Sequence, residues 1–177
     1  GIYLIPGDGS AKVVADLGAW VSANPVTNPP ASPDADGDLT AMVGTGDGFV
    51  VLESDLGQVL QVATDGTVTR LADLSDADAR PAGLAVAPDG SILVGQGDRV
   101  VAIAADGSIS ESWTGLSDVD ELAVGPDGTV YAAQRDGTVL RQTATDEART
   151  VATGFTRPGG LAVGPDSDLY ISSPATG

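Results

Sequence analysis

The sequence predicts an all-β chain made of tandem four-stranded units. Three observations predict it: a motif that recurs about every forty residues, a second turn series in phase with the first, and a composition rich in strand and turn formers. Valine, isoleucine and threonine lie in short runs between Asp-Gly pairs, Lys12 is the single lysine, and this vocabulary argues against helices.

The first series is read directly. Residues 84–90 are LAVAPDG, residues 122–128 LAVGPDG and residues 161–167 LAVGPDS, with a looser copy, AMVGTGDG, at 41–48. Proline presets the first turning position, aspartate hydrogen-bonds its own backbone, and glycine takes the positive φ that closes a hairpin. The turn aspartates Asp47, Asp89, Asp127 and Asp166 stand 42, 38 and 39 residues apart.

The second series is PGDGS around Asp8, ATDGT around Asp65, AADGS around Asp106 and ATDEA around Asp146. Two hairpin turns per repeat require four strands, A to D. In the third copy these are expected at 121–124, 129–133, 138–143 and 149–153. Small residues between larger ones in strand A (Ala85, Ala123, Ala162) suit strands that crowd together and pack on both faces. A four-stranded repeat of this period is the blade of a β-propeller.

Element by element, residues 1–18 supply strands C and D of a split blade and 19–38 form a Pro/Asp-rich loop. Residues 39–80, 81–119 and 120–157 form three complete blades, and 158–177 supply strands A and B of the split one. The expectation is a four-bladed ring or a piece of a larger propeller. The chain opens at Gly1 inside an expected strand, without an initiator Met or signal-like segment, which points to a processed, excised or partial product.

Charge and composition exclude several function classes. A net charge of −17 and a pI near 4.1 repel phosphate backbones and anionic bilayers, so nucleic acid is not an expected partner. No apolar run approaches the roughly 18 to 20 residues that span a membrane. The chain has no cysteine, hence no disulfide, thiolate nucleophile or Cys-ligated zinc, and no histidine for acid–base work.

Up-and-down strands place the A–B and C–D turns at one end of each blade and the B–C and D–A connections at the other. The irregular second end is where a rigid scaffold presents binding groups. It carries Asp55, Asp76, Asp78, Arg80, Asp98, Asp118, Asp120, Glu121, Asp136 and Arg157. Asp120, Glu121 and Arg157, at the expected channel mouth, are the leading ligand-binding candidates, with Asp98 and Asp136 beside them; solvated loop charge is the plainer alternative. Asp34, Asp36 and Asp38, alternating around Gly37, look like the start of a calcium loop, since a hard cation wants several oxygens in a tight bend. The twelfth position holds Thr45 instead of glutamate, and Asp76 with Asp78 is a weaker second possibility.

The repeats RPAGLAVAPDGSILVGQGDRVVAIAADGSI and DELAVGPDGTVYAAQRDGTVLRQ resemble NHL-like and gluconolactonase-like propeller repeats. The segment VVADLGAWVSANPV at 13–26, with the Pro/Asp-rich stretch after it, is more specifically similar to the ScyD/ScyE family of bacterial propeller proteins. That resemblance covers essentially the whole chain. It implies an exported protein, extracellular or periplasmic, from a family of longer members without an established activity. Metal-dependent lactonases with such repeats hold their ion with an inward glutamate and Asn/Asp partners. At the matching strand starts this chain has Ala82-Gly83 and Gly159-Gly160, and Asp120-Glu121 alone offers carboxylates.

The leading expectation is therefore a non-catalytic exported module that binds a protein or carbohydrate ligand through its loop face. A metal-assisted lactonase or lyase using Asp120 or Glu121 as base is the second. Self-association through strand edges, if the ring is open, is the third.

Overall fold

In a computed structural model that describes residues 1–31, 37–76, 79–143 and 147–174, sixteen strands and one helix are found. The chain divides into two compact units, Gly1–Arg80 and Pro81–Gly177. Among the described residues no helix is long and apolar enough to cross a membrane.

The first unit opens with a hairpin of β1 (Ile2–Leu4) and β2 (Lys12–Ala15), followed by α1 (Leu17–Ala23). An antiparallel sheet follows in the order β3 (Leu39–Thr45), β4 (Gly48–Glu53), β5 (Gln58–Ala63), β6 (Val68–Asp73). One face of this sheet, with Val51, Leu60 and Val62, packs on Ile2, Ala15, Leu17, Val21 and Val26. Alternation along β4 and β5 puts those residues on a common side, and burying it drives the hairpin and helix onto the sheet.

α1 departs from the loop expected over 19–38. Asp16 caps it, its carboxylate accepting from Ala19 N–H at 3.1 Å, and Leu17 and Val21, one turn apart, are both buried. The apolar spacing is too brief to stand out in the sequence, and the sheet face beneath supplies what the propensity lacks. Removing the cap in Asp16→Ala is expected to cost about 1 kcal/mol, read as a shift in the urea midpoint at unchanged slope. Beyond the helix, Asp73 of β6 accepts from Thr27 N–H at 2.8 Å and from Ser75 N–H at 3.1 Å, tying both connections to one strand end.

The second unit repeats the pattern. One sheet runs β7 (Pro81–Val86), β8 (Ile92–Gln96), β9 (Arg99–Ile103), β10 (Ile109–Thr114), and the next β11 (Val119–Val124), β12 (Val130–Gln134), β13 (Val139–Gln142), β14 (Arg149–Ala152). A hairpin of β15 (Gly160–Val163) and β16 (Leu169–Ser172) follows. Ala85, Leu93 and Val100 of the first sheet pack on Leu122 and Ala132 of the second, with Trp113 buried beside them. The three first strands, β7, β11 and β15, lie side by side. These sheets are the propeller blades expected from the repeats.

Each first strand of a complete sheet carries a register shift that the sequence did not announce. The extra residue is Thr40 in β3, Gly83 in β7 and Asp120 in β11. A bulge sets two residues against one on the partner strand and re-aims the side chains around it. The first A–B turn also departs from the Pro-Asp-Gly pattern, since Thr45 faces Gly48 directly and only Gly46 and Asp47 turn.

Candidate functional site

Within the second unit three ion pairs gather at the Asp120 bulge. Asp118 and Arg157, each immediately before or near the start of a first strand, take left-handed backbone with φ of 55° and 50°. Arg135, in the β12–β13 turn, reaches back to β11. Its Nε and Nη2 donate to Asp120 Oδ1 at 3.2 and 3.0 Å, and its Nη1 lies 3.1 Å from Asp118 Oδ2. Its backbone N–H also donates to Asp118 O at 2.9 Å. These bonds hold the Arg135 guanidinium above its ordinary pKa, the Asp120 bond first.

Asp120 is 12% exposed, while Arg157, its other cation, is 71% exposed and approaches with Nε at 3.9 Å from Oδ2. That Oδ2 is buried and accepts no hydrogen bond. Glu121, next along the strand, has its carboxyl pushed up, first by burial and further by the Asp120 charge, against bonds from the Leu122 and Leu84 N–H groups. Burial follows from Gly83, whose φ of +71° and missing side chain let β7 run against Glu121; a Cβ there would lie 2.9 Å from Glu121 Cα.

The other expected site residues are placed differently. Asp136 is exposed and its Oδ1 accepts from Thr138 N–H at 2.9 Å, so it serves its own turn. Asp98 is exposed, and its carbonyl accepts from Leu116 N–H at 2.9 Å. Asp55, expected on the open rim, is buried and paired with Arg80 at 2.7 Å, because residues 50–60 are buried throughout. Asp76 accepts from Asn28 Nδ2, and Asp78 lies outside the described residues. Asp34 and Asp36 of the expected calcium loop also lie outside them; Asp38 donates its N–H to Glu53 Oε1 at 2.8 Å.

Arg135 is the residue that sequence reasoning missed. A signal was available: the one copy with carboxylates at its first-strand start is also the copy with an arginine in the following B–C turn, where the second blade has Gly97. The residues do not fit a metal centre of the lactonase kind. Among the described residues no three carboxylates, histidines or cysteines converge, and Asp120 Oδ1 is committed to Arg135.

The turn aspartates give the fold a pH dependence. Bonds from the residue two positions on hold the carboxyls of Asp8, Asp65, Asp89, Asp106 and Asp127 below their ordinary value. The backbone N–H leads at Asp8, Asp65 and Asp127, and the hydroxyl at Asp89 and Asp106. A lowered folded pKa gives stability that is complete above the unfolded value, about 3.9, and is lost as pH falls through the folded one. Glu121 has the opposite sign, with a penalty that grows as pH rises from about 4.3 through its raised value. Asp73 is lowered too, its burial outweighed by bonds from Ser75 and Thr27; six against one, the expected result is a melting temperature that drops below about pH 4, measured by calorimetry in an acid series.

No family profile matches the chain, and no curated protein matches it. Solved structures do. A catalytically inactive histidine-to-alanine virginiamycin B lyase from Staphylococcus aureus, with quinupristin, superposes with a TM-score of 0.70 at 17% identity, over 97% of this chain and 55% of that one. A gluconolactonase from Xanthomonas campestris gives 0.59 at 25% identity over 71% and 50%. The calcium-binding protein regucalcin from Agrobacterium tumefaciens gives 0.62 at 19% over 77% and 54%. The chain thus spans about half the length of these structures, and what it shares with them is the gluconolactonase-like propeller fold.

Proposed function

We propose that the chain is a non-catalytic, exported propeller module that binds a protein or carbohydrate ligand through the irregular connections of its second unit. The contact patch is Asp118, Asp120, Glu121, Arg135 and Arg157. The observation that carries this reading is the engagement of Asp120, whose Oδ1 is clamped by Arg135 while Arg157, largely exposed, stands 3.9 Å from Oδ2. A carboxylate locked in this way fixes the Arg135 guanidinium and keeps a negative charge beside the exposed Arg157, an arrangement that suits recognition of acceptor oxygens. The export and the ScyD/ScyE affiliation rest on the sequence resemblance alone.

The test is a panel of neutral and acidic oligosaccharides, with calcium as a separate arm, read by melting temperature. A rise with an oligosaccharide that is lost in Arg157→Ala supports the reading. Unchanged melting across the panel counts against small-ligand binding.

A second reading, a lyase or lactonase, is favoured by Glu121, whose burial makes it a stronger base than a free glutamate. The inactive S. aureus lyase carries a substituted histidine. This chain has no histidine, so such chemistry here would draw on Glu121. Turnover of quinupristin or of a sugar lactone that survives Asp120→Ala with Glu121→Ala removes that reading.

A further inference from the structure

The chain repeats one dipeptide in its turns, and the fold holds one copy differently from the others. Asp-Gly stands at 8–9, 47–48, 65–66, 89–90, 106–107, 127–128 and 136–137, and again at 36–37, where Asp36 lies outside the described residues. Asp-Gly is open to rearrangement through a cyclic imide, because glycine has no side chain to hinder its nitrogen as it closes on the preceding carboxyl.

Six of the described pairs share a device that opposes this. Oδ1 of Asp8, Asp65, Asp89, Asp106, Asp127 and Asp136 accepts the N–H of the residue two positions on, at 2.9 to 3.0 Å. Ser10, Ser91 and Thr129 add their hydroxyls. In each of the six the glycine N–H donates to the carbonyl three residues back, at 2.9 to 3.0 Å. Closing the imide there requires the carboxyl to leave its donors as well as the glycine to leave its acceptor. The same bonds hold five of these carboxyls below their ordinary value, and the neutral carboxyl is the form that reacts readily.

Asp47 has the glycine without the bond. The β3–β4 turn consists of Gly46 and Asp47 alone, with Thr45 facing Gly48. Two positions beyond Asp47 stands Phe49, which is already in β4, opposite Gly44 on one side and Val62 on the other, and has no hydroxyl. Asp47 is exposed, and among the described residues its carboxylate accepts no hydrogen bond. Its side chain therefore turns freely to bring Cγ onto the Gly48 nitrogen, a near-attack geometry that the other six reach only by giving up their turn bonds.

We propose that Asp47–Gly48 is a self-modification site, at which the folded chain rearranges to isoaspartate while the six held pairs stay intact. In the first step the Gly48 nitrogen bonds to Asp47 Cγ, and the carboxyl hydroxyl leaves with the amide proton as water. In the second, water adds back to the imide. Breaking the bond to Cγ restores aspartate, whereas breaking the bond to the main-chain carbonyl carbon leaves Gly48 joined through Cγ and frees the Asp47 α-carboxylate. Mass and charge are unchanged, and no cofactor is consumed. The product lengthens the main chain by one carbon in a turn of two residues. Gly48 has no room to absorb it, since a Cβ there would lie 2.1 Å from Val62 O. The Thr45–Gly48 pairing opens, and the hairpin frays from its turn.

The test ages the full chain for weeks at neutral pH and body temperature, once folded and once in guanidinium chloride. Proteolysis and mass spectrometry with electron-transfer fragmentation then tell isoaspartate from aspartate at each pair. In the folded chain isoaspartate at Asp47 is expected to exceed that at each of the six held aspartates several-fold. In denaturant the seven should react at similar rates, because the turn bonds are gone. Two results overturn the proposal. One is isoaspartate at Asp47 no higher than at the held six in the folded chain. The other is an excess at Asp47 that persists undiminished in denaturant, which would assign it to the flanking residues and not to the fold.

Discussion

Replacing Glu53 by alanine is expected to destabilise the Gly1–Arg80 unit by on the order of 3 to 5 kcal/mol, because it removes the acceptor of three backbone donors at once. Glu53 is fully buried at the end of β4. Its Oε1 accepts from Asp38 N–H at 2.8 Å and Asp55 N–H at 3.2 Å, and its Oε2 from Leu56 N–H at 3.0 Å. Each donor left without an acceptor costs about 1 to 3 kcal/mol, reduced where water can enter. The carboxylate also organises its neighbours. Gln58, beside it, accepts from Arg70 Nε at 3.0 Å, and Arg70 bonds Asn24 O and lies 5.6 Å over the Trp20 ring. Glu53 therefore links the β4–β5 turn to the residues before β3, and through Gln58 and Arg70 to the end of α1. Glu53→Gln keeps one acceptor oxygen but turns an amide N–H₂ toward other donors, so it should recover only part of the loss. Urea unfolding followed by Trp20 fluorescence measures both; a loss under about 1 kcal/mol in the alanine variant would show that water replaces the carboxylate.

Gly83→Ala is expected to cost about 2 to 4 kcal/mol, the sum of left-handed strain and backbone overlap. The added Cβ would sit 2.9 Å from Glu121 Cα, Glu121 C and Leu122 N, all main-chain atoms with no rotamer to yield. Gly90→Ala isolates the first component, because Gly90 has a similar φ of +86° and nothing within 4 Å of the added atom. It should cost only about 1 to 2 kcal/mol. The same Gly83 variant probes the site. Pushing β7 from β11 admits water to Glu121, and its carboxyl should titrate closer to the ordinary range, read by carbon NMR across a pH series. Loss of stability without movement of that titration would mean that Glu121 owes its burial to other neighbours.

Much of the fold was legible because its signals are local. The turn aspartates bond within two residues of themselves: Asp89 with Ser91, Asp106 with Ser108 and Asp127 with Thr129. Such a turn forms wherever its few residues occur, and its recurrence reveals strand number and phase. The candidate site was legible only in part, since Asp120, Glu121 and Arg157 could be named from their place around the start of a first strand. Their partner Arg135 lies 15 residues beyond Asp120 and reaches it only because β11 and β12 pair with a bulge between Val119 and Glu121.

The sequence by itself determined the all-β class, the four-stranded repeat and its turn chemistry, and the lack of cysteine and histidine, because each of these is a property of short segments or of composition. Tertiary structure alone decided which carboxylates are free and which are spent. Asp55 looks like a loop charge and is buried against Arg80, Glu53 looks like a strand end and organises a unit, and Glu121 differs from an ordinary glutamate through burial against the neighbouring strand and the Asp120 charge beside it. The physical reason is range: a turn is satisfied by its own backbone, whereas the state of a carboxylate is set by desolvation and by charges that another strand brings to it.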